Sequence, residues 1–417
     1  MKLGDKREKA LFVLFSVLFP VQLAKHFWPQ SAFIGGLRVD YLSPTIYVSD
    51  ILLLLLLVLT AAKADWHAMK KNIGRKFGVV GLLACAFIVW NIIGSDRPTT
   101  AIYTWLRYIV AVGLLLYVRE TKIHLKQLLA RILPIPLLYS SVIALAQFLK
   151  GGSLGGMLYW LGERSFSLTT PGIATSSLFG RLVIRPYATF PHPNALAGFM
   201  LVAVLLWIWS VGGGSAKSSQ QSSATRLIVM GMTSVTLILT QSLSSITAAV
   251  ILLTLWVRSA LSVSSKGLAA VLVTVVFIGA LVAFPPEPQS LSQRLLQAGE
   301  AWSMLRAQPM QGIGLGNYIP NLLTKNDRYP ASPFLYFQPV HNIYLLIASE
   351  LGIIGVLAFF WLITTALKQA LGKKSKALVF ALLGICIIGF VDHYWLTLQQ
   401  TRLLFAVLLG LAFRKES

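Results

Sequence analysis

The sequence predicts an all-α, polytopic membrane protein of about twelve spanning helices with a helical cap on one side. Three observations predict it. Mean hydropathy is +0.72, and only 12% of the 417 residues are charged. Apolar runs of about 17 to 25 residues, the length that crosses the hydrocarbon core as a helix, recur along the chain. Residues 1–417 therefore read as a single integral membrane domain.

The candidate spans lie near residues 10–27, 46–62, 77–93, 102–118, 127–149, 193–211, 226–241, 244–260, 267–284, 341–366, 377–393 and 396–413. The first has no small-residue cleavage site and ends in LAKHFW, so it reads as a retained span rather than a signal peptide. Cys85 and Cys386 fall inside the third and eleventh spans, which argues against a disulfide framework. After the sixth span, GGGSAKSSQQSSAT (212–225) reads as a flexible polar connector. Two loops are long. Residues 150–192 are rich in Gly and Ser, and residues 285–340, between the ninth and tenth spans, are opened by FPPEP and hold a helix. From Leu291, the apolar residues Leu295, Ala298, Trp302 and Leu305 recur at three-to-four spacing, a face expected to lie over the membrane-embedded core.

A net charge of +22 would suggest nucleic acid in a soluble domain, but short basic loops stay cytoplasmic and set orientation. With the N-terminus inside, the cytoplasmic segments carry most of the Lys and Arg, from Lys2, Lys6 and Arg7 to Arg414 and Lys415. Both termini are then cytoplasmic, the two long loops lie outside, and anionic lipid accounts for the basic excess without a nucleic-acid partner.

Ionisable residues within apolar runs are costly and mark polar cavities or ion pairs. Asp50, Arg107, Glu350, Asp392, His393 and Arg402 all stand towards the outer ends of their spans, with Arg131 the exception near the inner face. They predict a polar cavity open to the outside. Even-numbered spans direct their N-termini, with free amides and partial positive charge, at that cavity. Pro193 opens the sixth span and His341 with Asn342 the tenth, which makes both ends candidate anion sites. Arg185 beside Pro186 adds a fork suited to a phosphate or diphosphate. His341 is the natural general base beside such an anion, with His192 competing for the role. GIGLGN resembles a nucleotide loop only superficially, since no strand precedes it; its glycines instead let a turn pack tightly ahead of Asn317. Zinc-ligand spacing, a nucleophile elbow and acidic pairs are missing from the sequence, which predicts a metal-independent site without a cofactor.

RPYATFPHPNALAG, WSMLRAQPMQGIGLGNY, HNIYLLIASELGIIG and DHYWLTLQQTRLLF, in that order, resemble the O-antigen ligase and polymerase superfamily of bacterial envelope glycosyltransferases. The resemblance spans about residues 40–413. It implies a GT-C-type fold and an inverting, metal-independent transfer of a glycan from undecaprenyl diphosphate to an acceptor hydroxyl, on the periplasmic face of the inner membrane. Position by position, it implies that Arg185 binds the diphosphate and His341 activates the acceptor. His192, Asn194 and Asn342 are the accompanying substrate-binding candidates. A second family arginine usually follows a Thr-x-Ser pattern after the sixth span; here LTQSLSSIT places Leu243 there. Either Arg107, Arg402 or a loop arginine such as Arg181 supplies the second charge, or activity is altered.

The single large loop before His341 favours a ligase acting on a glycan or lipid A core. A polymerase and a protein O-oligosaccharyltransferase remain alternatives. A transporter or flippase would need polar residues through the whole membrane depth, and a non-catalytic scaffold would need no inward-pointing charges.

Overall fold

Helix boundaries follow from proline and from side chains that cap free amides. The computed structural model describes residues 3–34, 36–63, 75–178, 180–212, 221–260, 288–323 and 338–415. In chain order its helices are α1 (Leu3–Val17), α2 (Val48–Ala61), α3 (Arg75–Ile93), α4 (Pro98–Glu120), α5 (Leu125–Ile132), α6 (Pro134–Lys150), α7 (Pro193–Val211) and α8 (Ser223–Thr240). They continue with α9 (Leu243–Ala260), α10 (Pro288–Ala307), α11 (Tyr318–Leu323), α12 (Ile343–Gly372), α13 (Lys376–Gly389), α14 (Tyr394–Thr397) and α15 (Gln399–Phe413). Proline starts α4, α6 and α7, where its missing N–H costs nothing. The Asn342 side chain caps α12 by accepting from the Leu345 amide at 2.9 Å.

The all-α expectation needs one amendment, because the segments around residues 24–47 and 175–184 carry three antiparallel strand pairs. These pair β1 (Ala24–His26) with β4 (Thr45–Tyr47), β2 (Phe33–Ile34) with β3 (Leu37–Arg38), and β5 (Thr175–Leu178) with β6 (Arg181–Ile184). The first predicted span is likewise corrected. Helix α1 occupies residues 3–17, and Pro20 ends it, so residues 24–26 become a strand.

Five described helical stretches are long and apolar enough to cross a membrane: Pro98–Glu120, Leu125–Lys150, Pro193–Val211, Ser223–Thr240 and Ile343–Gly372. Five shorter apolar helices accompany them. The protein is therefore an integral membrane protein. The count of twelve is not reached among the described residues, and the predicted span 267–284 lies outside them.

The interior is built around α7, which packs against α5, α8 and α13, and α15, which packs against α4 and α12. Most residues of α7 and nearly all of α15 are buried. Gly198 in α7 is required by contact. A Cβ there would stand 2.1 Å from the Tyr394 hydroxyl, so the RPYATFPHPNALAG and DHYWLTLQQTRLLF blocks meet at this glycine.

Helix α12 breaks at Gly352, whose φ of 64° and ψ of −164° lie outside the helical region. The freed carbonyls of Ser349 and Glu350 accept from the amides of Ile313 (2.9 Å) and Gly314 (3.1 Å), and Ile353 N donates to Pro309 O (2.8 Å). The GIGLGN turn is thus a backbone plug for this break. Asn91, fully buried, secures it by donating to the carbonyls of Gln311 and Glu350 at 2.7 and 2.9 Å.

The cap helix α10 packs on α12 as expected, but by the other face. Leu295 and Trp302 are 66% and 49% exposed, whereas Gln297, Ala301 and Met304 are buried at 1 to 2%. Gln297, a buried polar residue of this helix, faces inward and meets its hydrogen-bond need at His341.

Candidate active site

The amino ends of α2, α4, α7, α12 and α15 converge at one end of the bundle, around a cavity of about 720 Å³. The hairpin residues His26 and Thr45 and the loop residues Glu163 and Arg164 contribute to its wall. This is the arrangement expected of the even-numbered spans. Of the sequence-derived candidates, Arg107, His192, Asn194, His341 and Arg402 line this cavity.

Arg185 stands directly behind it, joined to the lining through Asn194. Its Nε donates to the Thr240 carbonyl at 2.7 Å and its Nη2 to Asn194 Oδ1 at 2.5 Å. Asn194 in turn donates from Nδ2 to Asp392 Oδ2 at 3.0 Å. Asp392 lies in the turn between α13 and α14 with His393, and the ligand atoms of His341, Asp392 and His393 all fall within 4.8 Å of one another. The hydrogen bonds from Arg185 thus run through one amide to the carboxylate that lies beside the His341 imidazole. His341 and Asp392 are 51 positions apart, so sequence spacing conceals this cluster.

The Nδ1 of His341 lies 2.8 Å from Gln297 Oε1. An amide oxygen only accepts, so Nδ1 carries the proton and Nε2 keeps a free lone pair. Gln297 is itself held by Tyr318, whose hydroxyl donates to the Gln297 carbonyl at 2.8 Å. Burial pushes the His341 imidazole below its usual value and Arg294 adds to this, while Asp392 opposes them. His192 is differently committed. Its Nδ1 accepts the Asn194 amide at 3.1 Å as the cap of α7, and burial with Arg185 pushes it down to about 3. A neutral ring with Nδ1 accepting must carry its proton on Nε2, so His192 lacks the lone pair a base needs.

Deeper in the wall, Asp50 pairs with Arg107 at 2.5 Å and accepts from Gln399 Nε2 at 2.6 Å. Gln399 Oε1 accepts from Arg107 and, at 2.9 Å, from Arg402. Arg107 is thus charge-compensated. Arg402 bonds only oxygens of an amide and the Leu396 carbonyl, and it lies over the Tyr108 ring at 5.5 Å.

Like Arg185, the candidates Arg181 and Asn342 are absent from the lining. Arg181 stands exposed in the short hairpin of β5 and β6, which keeps it outside the lining. Asn342 spends its oxygen on the α12 cap and its Nδ2 on the Phe390 carbonyl at 2.9 Å. Conversely, Gln297 and Arg164 were not legible as site residues. Gln297 sits between residues of the expected apolar face, and Arg164, which lines the cavity and donates to Pro191 O at 3.1 Å, lies in a loop without pattern.

Residues 227–360 match the family model described as O-antigen ligase. The match covers Gln297 and His341, while Arg185 and Asp392 lie outside it. A search of curated proteins gives no match.

Proposed function

We propose that this chain, with its O-antigen ligase match over residues 227–360, moves a glycan from undecaprenyl diphosphate to an acceptor hydroxyl, at the periplasmic face of the bacterial inner membrane. The observation that carries the reading is the bridge from Arg185 through Asn194 to Asp392, beside His341. It puts a guanidinium directly behind the cavity wall that carries His341, which supports reading the two as anion-binding fork and base.

In this reaction the acceptor hydroxyl gives its proton to His341 Nε2 as its oxygen attacks the anomeric carbon. The carbon–oxygen bond to the diphosphate breaks on the opposite face, with inversion, and its electron pair leaves on the diphosphate. Arg185 stabilises that charge, with Arg164 and Arg402 as further cations in the cavity wall. These two take the place of the family arginine that Leu243 lacks. No step calls for a metal. The acceptor is lipid A core in this reading, and the single large loop before His341 is what favours a ligase. Deleting the gene tests this choice: unattached lipid-linked polymer accumulates if the protein is a ligase, whereas single repeat units on the surface indicate a polymerase.

The reaction itself is tested with purified protein in detergent, without an ion gradient. It consumes lipid-linked oligosaccharide and yields glycosylated acceptor; a transporter does neither. The same assay carries a pH prediction. A base must be neutral to act, and burial first, then Arg294, lower the His341 value below 6.5 against the pull of Asp392. The rate therefore holds as pH falls to 6.5 and declines only below it. An acid limb with its midpoint above 6.5 would falsify the assignment of a buried His341 as base.

Gln297 is a positioning residue, since it acts through the His341 ring. Gln297→Leu should lower kcat about ten- to a hundredfold by releasing the tautomer, with the donor KM unchanged. Gln297→Glu, which still accepts from Nδ1–H, should recover most of the loss. Equal losses in both variants, together with a lowered unfolding temperature, would show that the side chain only supports the cap.

A further inference from the structure

We propose that His341, Asp392 and His393 form a binding site for a late first-row divalent ion such as Zn2+, and that an ion held there silences His341. Each residue offers one ligand atom, and the three lie within 4.8 Å of one another. Two imidazoles and a carboxylate, with a fourth position left open, are a donor set that zinc takes readily.

The rings are oriented for this. His341 Nδ1 is engaged by Gln297 Oε1 at 2.8 Å, which leaves Nε2 free. His393 Nδ1 lies 2.8 Å from Thr397 Oγ1, a hydroxyl able to accept from Nδ1–H and so leave Nε2 to a metal. Such outer partners fix tautomer and ring orientation in histidine metal sites. The two ring centroids are 5.1 Å apart and nearly perpendicular. Asp392 accepts one bond on each oxygen, from His393 N at 2.9 Å and from Asn194 Nδ2 at 3.0 Å. A carboxylate has about four lone-pair positions, so two remain. Metal–ligand bonds of about 2.0 to 2.2 Å need donors roughly 3.3 Å apart. Binding would therefore draw the donors together by up to about 1.5 Å.

Metal and proton compete for the same Nε2 lone pair, so an occupied site has no base. The inhibitory half of this inference rests on the reading of His341 as base; the binding half does not.

The full chain, purified in detergent without a polyhistidine tag, is titrated with Co2+ as a spectroscopic probe and then with Zn2+ in competition. One ion per chain should bind with a visible d–d band, and binding should weaken at least tenfold in both His393→Gln and Asp392→Asn, checked for folding by thermal unfolding. In the transfer assay Zn2+ should suppress wild-type turnover at least tenfold, and EDTA should restore it. Unsaturable binding, or equal binding by wild type and both folded variants, overturns the site. Loss of transfer in EDTA with recovery on adding Zn2+ overturns the inhibitory role. Variant-sensitive binding in a protein that transfers no glycan under any condition supports the site and counts against the proposed reaction instead.

Discussion

Replacing His341 with alanine lowers glycan transfer by about a hundred- to ten-thousand-fold and leaves donor binding nearly unchanged. The magnitude is that of a positioned general base acting on a poor nucleophile. The selectivity follows from geometry. His341 meets Gln297, Asp392 and His393, whereas the fork at Arg185 is held separately by Thr240 and Asn194. Removing the imidazole therefore leaves the anion-binding wall intact. Single-turnover transfer and equilibrium binding of a lipid diphosphate, measured on the same preparation, separate the two. Near-normal transfer by a folded His341→Ala protein would remove the base from the reaction.

Replacing Arg185 with alanine weakens donor binding and turnover together, with a combined loss in kcat/KM of about a hundred- to a thousandfold, or about 2.7 to 4 kcal/mol. In the proposed reaction the arginine meets charge already present on the bound diphosphate and more that develops as it leaves, so both states suffer. Its plane is fixed by Nε on the Thr240 carbonyl and Nη2 on Asn194, between the carboxyl end of α8 and the start of α7. Arg185→Lys should recover only a small part, because a single ammonium cannot reproduce the planar fork that the Thr240 carbonyl and Asn194 hold in place. Unchanged kcat/KM in Arg185→Ala would transfer the leaving-group role to Arg164 or Arg402.

Much of this molecule was legible in one dimension. Hydropathy marked most of the described helices, since the bilayer's thickness fixes the length of an apolar run. Where it misled, a local rule intervened: Pro20 ended α1 early, and residues 24–26 became a strand. The clustering of Arg107, His192, Asn194, His341 and Arg402 was also legible, because charge in apolar sequence has few tolerated positions. The faces of helices were not. Apolar spacing pointed Leu295 and Trp302 inward on α10, yet a membrane surface accepts them outside, and the buried partner of His341 became Gln297.

By itself the sequence determined that the chain enters a membrane, where its helices run, and which side chains are too costly to be idle there. These are properties of single residues and runs, set by transfer between water and lipid. Only the tertiary structure decided the pairings. Asn194 meets Asp392 across 198 positions and His341 meets Gln297 across 44, while Asp50 takes up the charge of Arg107. Such contacts depend on helix packing and on a glycine break in α12, and no local pattern encodes them.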